Sequence, residues 1–223
     1  MLLSNPFVND PRVYNEAQSL MRGGHHVFVL ACDRTRQYEK VSRWDGIDVE
    51  RASPCLNTFK PLSLASVIPP FFLHARTLVK SGRFDLVHCH DLDTFLVGVC
   101  LKRIFHLPLI YDMHEVYGYM VAEDYPWLEF PFMWLERQVI NKADHIISAH
   151  YHVPATKRPV TFVLNCKTPA YQERSNDKCL QVSYLGLLSE TRGVTTLVQS
   201  VSALSGVYCM IAGSGPVKYV NAE

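Results

Sequence analysis

Charge is scarce in this chain and neither sign prevails. Asp, Glu, Lys and Arg together make up 19% of the 223 residues, with 22 Lys+Arg against 21 Asp+Glu, so no overall field draws the protein to nucleic acid or to anionic lipid. Long hydrophobic runs are also missing. The longest apolar stretch, around Phe95 to Leu101, falls far short of the roughly 18 residues that cross a bilayer. No basic segment precedes Met1-Leu2-Leu3 as in a signal peptide, and a cytoplasmic location is expected. The seven cysteines are odd in number, scattered and mostly embedded in apolar runs, which fits buried thiols better than a disulfide framework.

Metal-ligand spacing is absent too. His88, Cys89, His90 and Asp91 have suitable chemistry, but along a strand His88 and His90 share one face while Cys89 points away. No second ligand cluster has site-like spacing, so no metal is expected. Nor does a glycine-rich phosphate turn follow the first apolar run; Asn5-Pro6-Phe7-Val8-Asn9 stands there instead. What the chain does have is apolar content, 48%, enough for a large folded core.

The order of elements is that of an alternating α/β protein. A short apolar run from Met1 to Ser4 leads to a helix with Asp10 at its N-cap and Pro11 at its first position. Val13, Ala17, Leu20 and Met21 form its apolar stripe, and Gly23-Gly24 ends it before the strand-like run Val27 to Ala31. The opening run is short for a buried parallel strand, as an N-terminus trimmed from a longer one would be. A weaker strand is expected at Ile47–Val49, then a Pro-broken stretch from Pro61 to Pro70 and a helix from about Phe71 to Gly82. Asp85–His90 reads as a buried strand, Asp93 as the cap of the next helix, and Leu109–Tyr111 as another strand. A helix with Leu128, Phe132, Leu135 and Val139 on one face follows, then strands at His145–Ser148 and Thr161–Leu164. Continuous apolar runs separated by helices indicate a parallel sheet covered on both faces.

This organisation gives a Rossmann-like domain over residues 1–165 and a polar linker over 166–178. The start of a second Rossmann-like domain, one βαβ unit, occupies residues 179–223. In it, Leu180–Gly186 and Val207–Ala212 are strands around a helix with Val194, Leu197, Val198, Val201 and Leu204. Gly213, Gly215 and Pro216 read as a tight turn, since no third glycine completes a dinucleotide fingerprint.

Several motifs occur in a definite order: Asn9-Asp10-Pro11-Arg12-Val13 with Asn15-Glu16-Ala17, His88-Cys89-His90-Asp91-Leu92-Asp93-Thr94, and Tyr111-Asp112-Met113-His114-Glu115. Ala143-Asp144, Asn165, Tyr184-Leu185-Gly186 through Arg192-Gly193, and Ala212 to Pro216 follow. Together they resemble the retaining GT-B glycosyltransferases of the family 4 group over nearly the whole chain. The resemblance implies a hexosyltransferase-type enzyme of GT-B fold, moving a sugar from a nucleotide-sugar donor to a glycan, lipid-linked or small-molecule acceptor. Retention of configuration, no metal and no cofactor are implied with it. His114 matches the histidine that reaches the donor sugar. Arg192 and Gly186 fall where the donor diphosphate is bound, and Asn9, Arg12, His90, Asp91 and Glu115 line the acceptor side. Several relatives act at membrane surfaces, so peripheral membrane contact is implied for the aromatic stretch Tyr117 to Trp134, although its helical stripe argues for core packing first.

The pattern departs from the family in two places. Leu187 stands where an Arg often follows the glycine equivalent to Gly186, and the chain ends at Glu223 before the acidic donor-binding motif. Both support a second reading, a non-catalytic acceptor-binding fragment or degenerate relative, and the first reading expects this chain alone to be inactive. A nucleotide-sugar epimerase shares the architecture, but the Asp-Pro-Arg-Val and Asp-x-His-Glu contexts argue against it. Without the resemblance, His114 is an ordinary loop histidine, Arg192 a surface cation, and Asp10-Pro11-Arg12 a helix start.

Overall fold

A computed structural model describes residues 1–8, 10–53, 60–123, 125–165 and 180–215, with the backbone alone at 60–66 and 180. Asn9, the segment 166–178 and Pro216 lie outside the described residues. Two compact units are present, Met1–Lys167 and Thr168–Glu223.

In the first unit the sheet is assembled around the N-terminal segment. Strands β1 (Phe28–Cys32), β2 (Val41–Trp44) and β3 (Ile47–Ala52) run in the order β1-β3-β2, while β4 (Val87–His90), β5 (Leu109–Met113), β6 (His145–Ser148) and β7 (Val160–Phe162) run in sequence order. Leu2 bridges the two groups by pairing in parallel with both Leu30 and Cys89. Its N–H donates to His88 O at 2.8 Å and its carbonyl accepts from His90 N at 3.2 Å. The short opening run thus has the central place in the sheet, held by backbone pairing more than by its own length.

Side-chain alternation sorts β1 onto two faces. Leu30 and Cys32 join a core with Cys89, Leu92, Phe95, Tyr111 and Met113, packed beneath helices α2 (Lys60–Lys80) and α3 (Asp91–Phe105). Val29 and Ala31 face the other way, against Val13 and Ala17 of helix α1 (Pro11–Arg22). The same period of two sends Val87 and Cys89 of β4, and Tyr111 and Met113 of β5, into the first core. His88, His90 and Asp112 therefore face the α1 side.

Three expectations are corrected. Helix α2 starts at Lys60 and passes through Pro69 and Pro70. Two amide donors are lost there, but the prolines are exposed while Val67, Phe71 and Ala75, spaced by four, are buried in the core. Packing overrides the local break. Helix α3 begins at Asp91, two residues before the expected cap, and Asp93 lies buried in its first turn, accepting from Thr94 N at 2.7 Å. Strand β2 was not expected at all; it pairs antiparallel with β3 across Asp45-Gly46, both at positive φ (46° and 86°).

Helices α4 (Tyr117–Ala122) and α5 (Glu129–Val139) follow β5, joined by a 3-10 turn at Pro126–Leu128. The aromatic stretch divides between core and surface. Tyr117 is buried with Phe132 against it at 5.4 Å, whereas Trp127, Phe130 and Trp134 are 69%, 75% and 56% exposed. The core reading holds for one face of α5 only. Among the described residues no helix is long and apolar enough to cross a membrane.

The second unit contains parallel strands β8 (Leu180–Leu185) and β9 (Val207–Ala212) with helix α6 (Val194–Ser202) between them in sequence. The loops beyond the two strands meet backbone to backbone. Gly186 N donates to Ala212 O at 3.1 Å and Leu188 N to Ser214 O at 2.9 Å. A Cβ at Gly213 would overlap the Gly186 carbonyl, and one at Gly215 the Leu188 carbonyl. These glycines are required by close approach of the two loops as well as by the turn.

Candidate functional site

The parallel register of β4 and β5 sets His90 beside Asp112. Asp112 is the hub of what gathers there. Its Oδ2 lies 3.2 Å from His90 Nδ1, 3.3 Å from His114 Nε2 and 3.8 Å from His88 Nε2. His90 Nδ1 and His114 Nε2 are 2.9 Å apart, and the rings of His88 and His90 stack at 4.6 Å, as two residues on one strand face would. From α1 above, Glu16 brings Oε1 to 3.3 Å from His88 Nε2.

Asp91 holds His114 from the other side. Its Oδ1 accepts the His114 backbone N–H at 3.2 Å and its Oδ2 lies 3.5 Å from His114 Nδ1. His114 therefore has a carboxylate at each ring nitrogen. Asp91 has φ of 63°, a left-handed conformation that costs an ordinary residue about 1–2 kcal/mol and that Asp tolerates better than most. Strain of this kind, where the surroundings over-determine it, is a feature of functional sites. The turn before α1 repeats it, because Phe7 is fully buried at φ 54° with its N–H donated to Asn5 Oδ1.

Burial dominates the electrostatics. Desolvation lowers the His90 imidazole to about 3 despite the opposing hydrogen bond with Asp112, with His88 adding to the drop, and lowers His88 as well. Both rings are neutral in the folded protein. Burial raises the Glu16 carboxyl to about 8, with the Asp112 charge adding to it, and raises Asp91 to about 6 against the opposing charge of His114. Asp112 goes the other way. Burial would raise it, but its contacts with His114, His88 and His90 outweigh that and hold the carboxylate far below its ordinary value.

The sequence-predicted residues are only partly brought together. His90, Asp91 and His114 form one network, and Arg12 is half-buried beside it, with Nη2 enclosed and without a hydrogen-bond partner. Glu115 is exposed and outside the network. Asn9 falls outside the described residues. Glu16 is a site residue that the sequence does not single out, and Asp112, at a strand end of the Tyr111–Glu115 motif, proves to be the hub. The premise that His88 and His90 lack nearby ligands is corrected, since Glu16 and Asp112 converge on them through folding. A separate cavity of about 170 Å³ is lined by Val116 and Tyr119 after β5, Met133, Glu136 and Arg137 of α5, and His152 after β6.

In the second unit, Arg192 is exposed in the last position of a 3-10 turn (Glu190–Arg192). Gly193 follows at φ 70° and α6 begins without a side-chain cap. A guanidinium beside uncapped helix N–H groups suits an anion. Leu187 is 53% exposed and adds no cation.

Comparison with known proteins identifies the family and the fold. The profile of the glycosyl transferase 4-like domain matches residues 10–153, and the chain belongs to that family. An uncharacterized glycosyltransferase of Methanocaldococcus jannaschii is 22% identical over 232 aligned residues, covering 91% of this chain and 58% of that protein. Sucrose-phosphate synthase from Thermosynechococcus elongatus superposes with a TM-score of 0.75 at 15% identity, over 96% of this chain and 62% of that one. MurG of Acinetobacter baumannii gives 0.51 at 14% identity, over 94% and 59%. The fold is that of the GT-B glycosyltransferases. The chain spans about three-fifths of the length of these relatives.

Proposed function

We propose that this chain carries the acceptor-side unit and part of the donor-side unit of a glycosyltransferase that uses a nucleotide sugar and retains configuration at the transferred carbon. The observation that supports it best is the fixing of His114 between Asp91 and Asp112 at the carboxyl ends of β4 and β5, where open α/β sheets bind their ligands. His114 orients the donor sugar and donates to it as charge builds on the departing group. It is not a nucleophile. Arg192, with the Gly186 turn and the start of α6, receives the diphosphate, so departure of the leaving group needs no metal there.

Arg12, His90, Asp91 and the rim formed by Glu115 serve the acceptor, a glycan, a lipid-linked sugar or a small molecule. The exposed rings of Trp127, Phe130 and Trp134 favour an acceptor presented at a membrane surface, reached by peripheral contact from the cytoplasmic side. The test is titration calorimetry of the protein with nucleoside diphosphates and nucleotide sugars, repeated with Arg192→Ala. Saturable binding that the variant loses supports the donor assignment. Binding that survives Arg192→Ala unchanged removes Arg192 from it.

A further inference from the structure

Beneath His114 the α1 side of the sheet holds more ligand-type donors than it has hydrogen bonds. Glu16, His88, His90 and Asp112 each offer one atom, and these four atoms lie within 4.8 Å of one another. His88 and His90 have side chains only 5% and 2% exposed, and the Nε2 of His88 is enclosed without a hydrogen-bond partner. His88 Nε2 nevertheless lies 3.3 Å from Glu16 Oε1 and 3.8 Å from Asp112 Oδ2. The neighbours are near, but not in the alignment of a hydrogen bond. They have instead the spacing of a shared centre.

Ligands about 2.0–2.2 Å from a tetrahedral ion stand roughly 3.3 Å from each other. The separations here are 3.3 Å for His88–Glu16, 3.8 Å for His88–Asp112 and 3.2 Å for His90 Nδ1–Asp112. We propose that Glu16, His88, His90 and Asp112 bind one divalent transition ion of the zinc type. Two neutral imidazoles and two carboxylates balance its charge, and a nitrogen-containing set disfavours magnesium and calcium, which take oxygen ligands. Glu16, the most exposed of the four at 22%, closes the coordination from α1. The ion would pin α1 to β4 and β5 and fix His90 and Asp112 under His114. It is remote in role from the diphosphate, and the inference does not rest on the transfer reaction.

The test uses the protein stripped with a chelator and titrated with zinc chloride, read by calorimetry and thermal melting, with magnesium chloride as control and cobalt(II) as spectroscopic probe. The expected result is one equivalent of zinc bound and a melting temperature that rises with zinc concentration. Cobalt should give the visible bands of a tetrahedral site, displaced by zinc, and magnesium should have no effect. Glu16→Gln, which leaves the buried core untouched, should weaken zinc by about tenfold or more, and His88→Gln should abolish the cobalt bands. Absence of saturable zinc binding in the wild type overturns the proposal. So does wild-type affinity in Glu16→Gln, which would place the ion on exposed imidazoles such as His25 and His26.

Discussion

The Nδ1 of His90 and the Nε2 of His114 face each other at 2.9 Å, with Asp112 Oδ2 3.2 and 3.3 Å from them. A nitrogen pair this close has one proton between it, with the Asp112 carboxylate in reach of both rings. Two adjacent parallel strands and the loop beyond β5 thus set the rotamer of the residue on which the functional reading depends.

Asp91 has to satisfy both a backbone conformation and a hydrogen bond. Asp91→Asn keeps an acceptor for the His114 N–H and tolerates positive φ, so its urea midpoint should stay close to wild type. Asp91→Ala loses both, and unfolding free energy should fall by about 1–3 kcal/mol. Equal midpoints for the two variants would show that neither the turn nor the bond is strained or needed.

Glu136 gives the first unit a pH dependence away from the His cluster. Burial raises its carboxyl, only partly offset by the hydrogen bond from Tyr111. A carboxyl raised on folding favours the protonated native state, so its contribution is full below the ordinary carboxylate value of about 4.3 and is lost as pH rises through the native value. Thermal melts from pH 4 upward should show this decline in the wild type and a flatter profile in Glu136→Gln. Parallel profiles would contradict it.

Trp127, Phe130 and Trp134 project from one side of the turn and helix α5. Replacing all three by Ser should leave stability within about 0.5 kcal/mol per site, as for other surface substitutions. Partition onto zwitterionic phospholipid vesicles, measured by co-sedimentation, should be lost. Helix α5 carries Glu129 in its first turn and the exposed Arg137 in its last, one charge of each sign, so adding anionic lipid should change binding little. Binding that grows with anionic lipid would point to another surface.

In the second unit, Gly213→Ala forces a Cβ into the Gly186 carbonyl. A loss of about 1–3 kcal/mol is expected for such overpacking, seen as faster hydrogen exchange across β8 and β9 with the first unit unaffected. Unchanged exchange would mean that the two loops separate readily.

Helices and buried strands were legible because their apolar periods are strong: Val13 and Ala17 on α1, and the run through β4. The alternation that parted Cys89 from His88 and His90 was also readable from residue order. What was not readable was register. Asp112 joins His90 only because β5 pairs with β4 at that position, and Glu16 joins His88 only because α1 packs over β4; neither fact is local to a sequence window. The Asp45-Gly46 pair is a local hairpin signal, and the strand β2 that it joins to β3 is too short and exposed to show an apolar period of its own. At α2 the error had the opposite origin, since Pro69 and Pro70 are true local breakers that buried Val67, Phe71 and Ala75 outweigh.

The most direct test of the functional account is single-turnover transfer from a nucleotide sugar, comparing wild type with His114→Ala in a protein whose donor-binding unit is as long as that of its relatives. The account predicts a fall in kcat of roughly 10² to 10³, as for removal of one preorganised donor, with nucleotide affinity little changed. An unchanged kcat in His114→Ala would contradict it.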